Sequence, residues 1–365
     1  MLRLPTVAIE VKIKTRKVRK SRIGEVDFSH LSFGEQFSDH MFRMDYASGA
    51  WQEPAIVPFG KIEVLPSLST LHYGQSVFEG LKAFRANGGG VNIFRPDKHA
   101  ERMWHSSDRL CIPRVDKDLF IDAVEALVKL DYPWIPSAKG TSLYIRPLTF
   151  ATEDYIGVRV SEKYSFFILT GPVGAYYKEG FNPVKLMTSG EFVRAVRGGL
   201  GEAKTAANYA ASLLPAYEAK KKGYAQVIWL DAIEEKYIDE VGTMNICFIK
   251  DGRLITPPLE GTILPGVTRD SVLQLAKHWG MPVEERRITI DEVMSSIKDG
   301  SMTEVFGTGT AAVISPVGEI FHKGVTAVIN GGKTGPVAQR LFDEISGIQY
   351  GERPDPFGWV RHIDM

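Results

Sequence analysis

The chain has 365 residues, of which 44% are hydrophobic and 24% are charged, and its 44 basic residues balance 44 acidic ones. This length exceeds that of one ordinary hydrophobic core and predicts two packed domains. A net charge of zero lacks the broad positive field that attracts nucleic acid or an anionic membrane, so we expect neither as a partner. The expected partners are small molecules and other protein subunits.

Cysteine content and hydropathy further limit the class of protein that the chain can form. Cys111 and Cys247 are the only cysteines, so the chain cannot form a disulfide framework or a four-thiolate zinc site. We expect no metal site, and we expect both cysteines to be buried free thiols. Apolar and basic residues alternate from Val7 to Lys20 without the apolar run of a secretory signal, which predicts an arm or a strand. No stretch approaches the roughly 20 apolar residues of a membrane span. A cytoplasmic enzyme is therefore expected.

The first half of the chain contains both strand and helix patterns. Strand patterns occupy residues 55–59, 91–94, 143–146 and 164–169. Apolar residues recur at helical spacing over 97–110 and 117–130, and Asp97 and either Asp116 or Asp118 are placed to cap these helices. Because the strands flank the helices instead of alternating strictly with them, residues 1–170 predict a small domain of the α+β kind.

The second half predicts a larger domain. Residues 171–180 are dense in glycine, proline and tyrosine and lack periodicity, which predicts an interdomain loop. Strand patterns follow at 184–188, 226–230 and 245–249, and helical patterns at 209–223, 268–279 and 336–345. We therefore expect residues 181–365 to form the second domain.

One lysine stands among unusually small residues. Lys204 lies in a run from Gly198 to Ala207 that would let a ligand approach the backbone closely. A solvated lysine on a glycine-rich loop is the ordinary interpretation of such a residue. Residues 198–205 also resemble the phosphate loop G-x-x-x-x-G-K-[ST], and Asp231 ends an apolar strand as a magnesium-binding aspartate does. Ala203 replaces the glycine that lets such a loop wrap a phosphate, which disfavours a nucleotide-binding protein but leaves it open.

Eight segments between residues 33 and 312 resemble the branched-chain aminotransferases in order and spacing. They are FGEQFSDHM (33–41), LHYGQSVFEGLKAFR (71–85), FRPDKHAERM (94–103), SLYIRPLTF (142–150), GEAKTAANY (201–209), EVGTMN (240–245), LPGVTR (264–269) and FGTGTAA (306–312). The resemblance implies the α/β architecture of fold type IV pyridoxal enzymes, in which a small α/β domain joins a larger pseudo-barrel domain. It also implies a homodimer.

The resemblance further implies pyridoxal 5'-phosphate as the cofactor. Lys204 would be the catalytic residue, carrying the cofactor as a Schiff base (an aldimine) and moving protons as general base and acid. Glu240 would hold the proton on the ring nitrogen that makes the ring an electron sink, and Tyr209 would bond the phenolic oxygen. The phosphate would be held by a guanidinium, by amides at a helix start and by a hydroxyl, from Arg102, Val267, Thr268 and Thr310.

The implied reaction is reversible, ping-pong amino transfer from L-leucine, L-isoleucine or L-valine to 2-oxoglutarate, giving the branched 2-oxo acid and L-glutamate. Tyr144, with the backbone of Thr310 and Ala311, would hold the α-carboxylate, and Arg146 would bind the distal carboxylate of glutamate. The apolar wall of the pocket would comprise Phe33, Phe78, Tyr176 and Thr243, with Tyr73 reaching across from the partner subunit.

Two departures from the family pattern leave the catalytic groups in place. Thr205, Ala206 and Ala207 follow the lysine where a pair of glycines is commoner, and the Cys-x-x-Cys pair of some animal members is absent after residue 312. We therefore expect no thiol regulation of that kind. Another fold type IV enzyme, such as a D-amino-acid aminotransferase or an aminodeoxychorismate lyase, is the first alternative. A catalytically inactive relative is disfavoured because the implied cofactor-binding residues are present.

Overall fold

The computed structural model describes residues 12–174 and 181–365. The strands are β1 (Lys14–Thr15), β2 (His40–Ala47), β3 (Ala50–Trp51), β4 (Ala55–Pro58), β5 (Ser76–Phe78), β6 (Leu81–Arg85), β7 (Val91–Phe94), β8 (Ser142–Ala151), β9 (Tyr164–Val173), β10 (Val184–Thr188), β11 (Gln226–Leu230), β12 (Ile238–Val241), β13 (Asn245–Lys250), β14 (Arg253–Thr256), β15 (Val283–Glu285), β16 (Met302–Gly309), β17 (Val313–His322), β18 (Val325–Val328) and β19 (Val360–Ile363). The helices are α1 (Ser69–Tyr73), α2 (Pro96–Arg109), α3 (Lys117–Leu130), α4 (Ala206–Ala211), α5 (Leu213–Lys221), α6 (Val267–His278), α7 (Ile290–Asp299) and α8 (Pro336–Tyr350).

Ten strands of the described residues form a first sheet in the order β1-β4-β2-β9-β8-β6-β7-β19, with β3 on β2 and β5 on β8. Its long central pairs are antiparallel, among them β8 with β9 and β2 with β9. Helices α2 and α3 cover this sheet. In α3 the residues Phe120, Val124 and Leu127 recur at helical spacing and share one buried cluster with strand residues such as Phe42 and Phe166.

Nine strands of the described residues form a second sheet in the order β12-β11-β10-β17-β16-β13-β14-β15, with β18 on β17. Strand β10 runs parallel to both β11 and β17, whereas β13 and β16 are antiparallel. In α7, Ile290, Val293 and Ile297 present one apolar face to a cluster that contains β-strand residues of this sheet. The mixed α/β content agrees with the fold class that the resemblance implies.

The two halves share a hydrophobic core. Phe84 and Phe94 of the first sheet belong to the same buried cluster as Leu341 and Ile345 of α8. Strand β19 also returns to the first sheet, where it pairs antiparallel with β7. The proposed division into residues 1–170, 171–180 and 181–365 stays a prediction, because β9 continues to Val173 and residues 175–180 lie outside the described residues.

The predicted bounds of α3 are confirmed, and the predicted cap of α2 is not. Helix α3 has the predicted bounds, and Asp116 caps it by accepting the N–H groups of Asp118 and Leu119. The prediction that Asp97 caps α2 is wrong. Arg95 occupies the cap position in a left-handed conformation, and Pro96 begins the helix because its fixed φ suits the first helical position. Asp97 therefore lies inside the first turn.

Two other predictions are wrong. The single helix expected over 209–223 is divided into α4 and α5 at Ser212, because Pro215 has no N–H to donate to the carbonyl of Ala211. Cys111 is exposed, whereas Cys247 is buried as expected. Across residues 12–174 and 181–365, no helix has both the length and the apolar character to cross a membrane.

Candidate active site

Side chains from both halves of the chain line a cavity of about 580 Å³. Thirteen of the residues that the sequence analysis singled out lie on its wall, namely Phe33, Phe78, Arg102, Tyr144, Arg146, Lys204, Tyr209, Glu240, Thr243, Val267, Thr268, Thr310 and Ala311. Tyr73 lies on α1, is 43% exposed and does not line the cavity. Tyr176 lies outside the described residues. A concave site of this size with convergent polar groups is the expected form of a small-molecule site.

Backbone contacts with the first sheet fix Lys204 just before α4. Its carbonyl accepts the N–H of Phe78 at 3.0 Å, and its own N–H donates to Ser106 Oγ at 2.9 Å. The side-chain Nζ lies 2.6 Å from the hydroxyl of Tyr209 and 4.9 Å from the centre of the Phe78 ring. The amine therefore points into the cavity, and its hydrogen-bond partner is a phenol and not a carboxylate.

Glu240 places a buried carboxylate on another wall. One oxygen accepts the N–H of Leu264 at 2.8 Å, and the other lies 2.6 Å from Nε of Arg194. Burial raises the pKa of Glu240 to about 7, and the charge of Arg194 opposes that rise. Arg194 was not anticipated, because residues 192–197 match no regular pattern and only the fold brings this guanidinium to Glu240.

An anion cradle forms where α2 meets the start of α6. Arg102 donates to both oxygens of Glu79, at 2.7 and 2.8 Å, and to the carbonyl of Pro265 at 3.1 Å. Burial alone would raise the pKa of Glu79, but the charges and hydrogen bonds of Arg102 and His99 hold it well below its usual range. The ionised Glu79 therefore fixes the Arg102 fork. Helix α6 starts after Gly266 without a side-chain cap, so its first amides are suited to bind an anion.

A second cationic group lies on the β8 wall of the cavity. Arg146 donates to the hydroxyl of Tyr144 at 2.9 Å, and its guanidinium lies 4.7 Å from the centre of the Phe78 ring. Its Nε is buried and has no hydrogen-bond partner among the described residues. A side chain on Gly80 would overlap the Tyr144 hydroxyl, so only glycine leaves that tyrosine its place. The guanidinium thus lines the cavity beside the Tyr144 hydroxyl, where it can attract an anion.

Further cavity residues were missing from the sequence analysis. Thr308 is buried, and its hydroxyl has no partner among the described residues. Thr308 lies on β16 and Thr310 in the turn that follows, so strand alternation does not relate the two hydroxyls and only the fold brings Thr308 into the cavity. Asn245 also lines the cavity and donates to Glu240 at 3.1 Å.

The magnesium-binding interpretation of Asp231 finds no support. This aspartate does not line the cavity, and its carboxylate accepts the N–H groups of Glu234 and Tyr237 at 2.8 Å. The cavity instead combines an amine, an anion cradle and a buried carboxylate. Together they define an enzyme that can bind a phosphorylated, basic ring beside a nucleophilic lysine.

Comparison with known proteins narrows this class to a family. The family model for "Amino-transferase class IV" matches residues 76–320. Branched-chain-amino-acid aminotransferase 2 of Bacillus subtilis (strain 168) is 53% identical over 92% of this chain and 93% of its own. The Escherichia coli branched-chain amino acid aminotransferase structure has a TM-score of 0.73 and 30% identity, covering 90% of this chain and 99% of the other.

A third comparison concerns a solved T.th. branched-chain amino acid aminotransferase complexed with N-(5'-phosphopyridoxyl)-L-glutamate. It has a TM-score of 0.70 and 29% identity, covering 87% of this chain and 97% of the other. The chain therefore belongs to the class IV aminotransferases, and within them to the branched-chain-amino-acid aminotransferase family. It is a transaminase with the fold type IV architecture.

Proposed function

We propose that this chain uses pyridoxal 5'-phosphate to transfer amino groups between L-leucine, L-isoleucine or L-valine and 2-oxoglutarate. The observation that carries the proposal is the position of the Lys204 amine in one cavity with an anion cradle and the buried carboxylate of Glu240. The T.th. relative with a phosphopyridoxyl-glutamate adduct supports both the cofactor and glutamate as one substrate.

The donor set fits the proposed cofactor. Its phosphate would be held by Arg102, Val267 and Thr268 of the cradle and by Thr310 of the turn after β16. Glu240 would face the ring nitrogen and Tyr209 the phenolic oxygen. When bound, this group supplies an aldehyde carbon that links to amines and a ring that accepts electron density.

The residues of the chain supply binding and proton transfer. The Nζ of Lys204 takes up and returns the proton that moves during amino transfer, because a primary amine can serve as both base and acid. Tyr209 orients that amine through their 2.6 Å hydrogen bond. Arg194 and the N–H of Leu264 favour the carboxylate form of Glu240, which would hold a proton on a basic ring.

One pocket has to accept both a branched alkyl chain and the carboxylate of glutamate. Tyr144 and the backbone of Thr310 and Ala311 would hold the α-carboxylate common to both substrates. Arg146 would bind the distal carboxylate with its guanidinium, while an alkyl chain would lie against the Phe78 face. Phe33 and Thr243 would complete the apolar wall from this subunit.

The proposed roles of Tyr73 and Tyr176 do not rest on the cavity of the described chain. We infer a homodimer in which Tyr73 reaches the cavity of the partner subunit, since it is exposed and lies outside its own cavity. Tyr176 stays a predicted member of the apolar wall. The cytoplasmic location likewise stays a prediction, which fractionation of the source cells would test.

The proposal is tested by Lys204→Ala, with Lys222→Ala as the matched control at an exposed lysine. We expect the purified protein to absorb in the near-visible range, to change its spectrum with L-leucine and to form glutamate from 2-oxoglutarate. Lys204→Ala should lower kcat by at least about 10²-fold, because general acid–base catalysis alone contributes that much. Lys222→Ala should match the unmodified protein.

The other outcomes discriminate among the alternatives. A protein that absorbs but responds to D-alanine and not to L-leucine would move the function to another fold type IV enzyme. A colourless protein that gains no band with pyridoxal phosphate would contradict the proposal. Binding of magnesium nucleotide would then be measured.

A further inference from the structure

Lys82 connects the two halves of the chain beside the cavity. It lies on β6 in the first sheet, and its Nζ donates to the carbonyl of Ala311 at 2.7 Å. Ala311 lies in the turn that joins β16 to β17 in the second sheet. The residue is 8% exposed, so the ammonium group is held against this turn and away from water.

No acidic side chain among the described residues forms an ion pair with Lys82. Burial lowers its pKa to about 8, and no charge within residues 12–174 and 181–365 opposes that shift. An unpaired buried ammonium is costly, so proteins usually pair such a group or replace it with a neutral residue. A cation retained at this position therefore points to an anion that binds nearby.

The neighbours of Lys82 indicate where that anion binds. Lys82 is paired directly with Tyr144 across strands β6 and β8, so both side chains project from the same face of the sheet. Under the proposed function, Tyr144 and the 310–311 backbone hold the substrate α-carboxylate. Lys82 lines the neighbouring cavity and contacts the same turn through the Ala311 carbonyl.

We propose that Lys82 is a positioning residue for the α-carboxylate subsite. Its ammonium group fixes the turn through the Ala311 carbonyl and adds positive charge beside the Thr310 and Ala311 amides, which would receive the carboxylate of both the amino acid and the oxo acid. The Ala311 carbonyl belongs to the peptide that follows the Thr310 and Ala311 amides, so Lys82 acts on these amides by fixing the turn and through its charge. The low dielectric of the site strengthens the attraction of that charge for an anion. The inference rests on the proposed transaminase activity.

The first test uses the holoenzyme and asks whether the charge of Lys82 is needed or only its hydrogen bond to the turn. Lys82→Gln keeps a donor but removes the charge, and Lys82→Arg keeps the charge. We expect Lys82→Gln to raise KM for L-leucine and for 2-oxoglutarate by about tenfold with kcat within about threefold, the signature of lost uniform binding. Lys82→Arg should restore KM to within about threefold.

Lys139→Gln is the control, because this lysine lines a neighbouring cavity but is exposed and paired with Glu352. It should leave both constants unchanged. If Lys82→Gln lowers kcat or the melting temperature and leaves KM unchanged, Lys82 is only a brace and the proposal is overturned. If the unmodified holoenzyme fails to transaminate L-leucine, the proposed function fails instead, and the binding test below still examines Lys82.

The second test uses 4-methylvalerate, the carboxylate of leucine without its amine. Its binding to the holoenzyme is measured by calorimetry between pH 7 and 9.5, a range in which the carboxylate does not titrate. The titratable groups of the described residues around Lys82 are Lys139, Tyr144 and Tyr350, none of them an acid that would keep it charged. Affinity should fall above about pH 8 in the unmodified protein and stay level in Lys82→Arg. Equal slopes would overturn the proposal.

Discussion

The charge state of Glu240 depends on its burial and on its contacts with Arg194 and Leu264. Its carboxylate is almost completely buried, and desolvation favours the neutral acid. The ion pair with Arg194 and the hydrogen bond from Leu264 favour the anion instead. With a pKa near 7, small changes around this carboxylate alter its charge at neutral pH.

Replacing Arg194 should therefore change the pH dependence of activity. In Arg194→Gln the charge that opposes desolvation is lost, so the pKa of Glu240 rises further and its carboxylate forms only at higher pH. We expect the acid limb of the kcat profile to move to higher pH, with Arg194→Lys closer to the unmodified enzyme. Rates measured between pH 5 and 9 test this expectation.

Arg197→Gln is the control, since Arg197 is exposed and pairs with Glu260 at the surface. Its profile should coincide with that of the unmodified enzyme. An unchanged acid limb in Arg194→Gln would show that Arg194 does not govern the ionisation of Glu240.

Single residues could be predicted from sequence where a local motif surrounds them. Lys204, Glu240 and Arg102 stand in short segments whose residue types match the chemistry, and all three line the cavity. The contacts of Lys82 could not be predicted in this way. Its partner Ala311 is 229 positions away, and only the pairing of sheets brings such residues together.

At the scale of elements, α8 obtains its N-terminal cap from a neighbouring strand. The carboxylate of Glu304 on β16 accepts the N–H groups of Val337 and Ala338 at 2.9 and 2.8 Å. A side chain on Gly335 would overlap that carboxylate, so the residue before the helix is small enough to admit it. A long-range carboxylate replaces the local serine, threonine or aspartate cap.

Removing this cap should destabilise the protein. Glu304→Ala leaves one buried and one partly buried amide without acceptors at the start of a helix that carries core residues, so we expect a loss of about 1–3 kcal/mol in the free energy of unfolding. Urea denaturation monitored by circular dichroism measures the loss. Glu304→Gln should lose less, because its amide oxygen still accepts.

The control is Glu319→Ala, which removes a carboxylate paired with the partly exposed Lys185 on the second sheet. Its cost should be within about 1 kcal/mol, as for other surface pairs. Equal losses for the two alanine variants would contradict the capping role.

Element boundaries were predictable where local capping or strand patterns decide them. The spacing of apolar residues and the Asp116 cap define α3 without help from the rest of the fold. The break at Ser212 shows the limit, because helical spacing continues across it and only Pro215 marks the interruption. The cap of α8 could not be predicted, since Glu304 precedes the helix by a whole hairpin.

At the scale of the whole molecule, exposed apolar residues cluster beside α1. The chain around Ser69 is hydrogen-bonded to the chain around Glu153, which brings two exposed segments together. The exposed apolar residues of these segments are Ile62, Val64, Leu65, Leu71, Tyr73, Tyr155, Ile156, Val158 and Val160. Two adjoining segments that are rich in exposed apolar residues indicate a protein–protein interface.

We therefore expect light scattering to give about twice the 40.6 kDa mass of the chain. Leu71→Glu places a charge in the apolar surface at a residue that is 63% exposed, and it should shift the protein towards monomer. Activity should fall in parallel, because Tyr73 would no longer reach the partner's cavity.

Val328→Glu is the matched control at another exposed apolar residue, on β18. It should remain dimeric and active. A fully active monomer, either of the unmodified chain or of Leu71→Glu, would contradict both the dimer and the role of Tyr73.

The return of β19 to the first sheet has a consequence for folding. Strand β7 pairs with β19, and β19 comes after every strand of the second sheet in the sequence. During synthesis the β19-binding side of β7 therefore stays unpaired while the rest of the protein is made. An unpaired strand edge is prone to pair with other chains. Residues 12–174 expressed alone would keep that edge permanently, so we expect the fragment to aggregate unless a peptide spanning residues 355–365 is supplied.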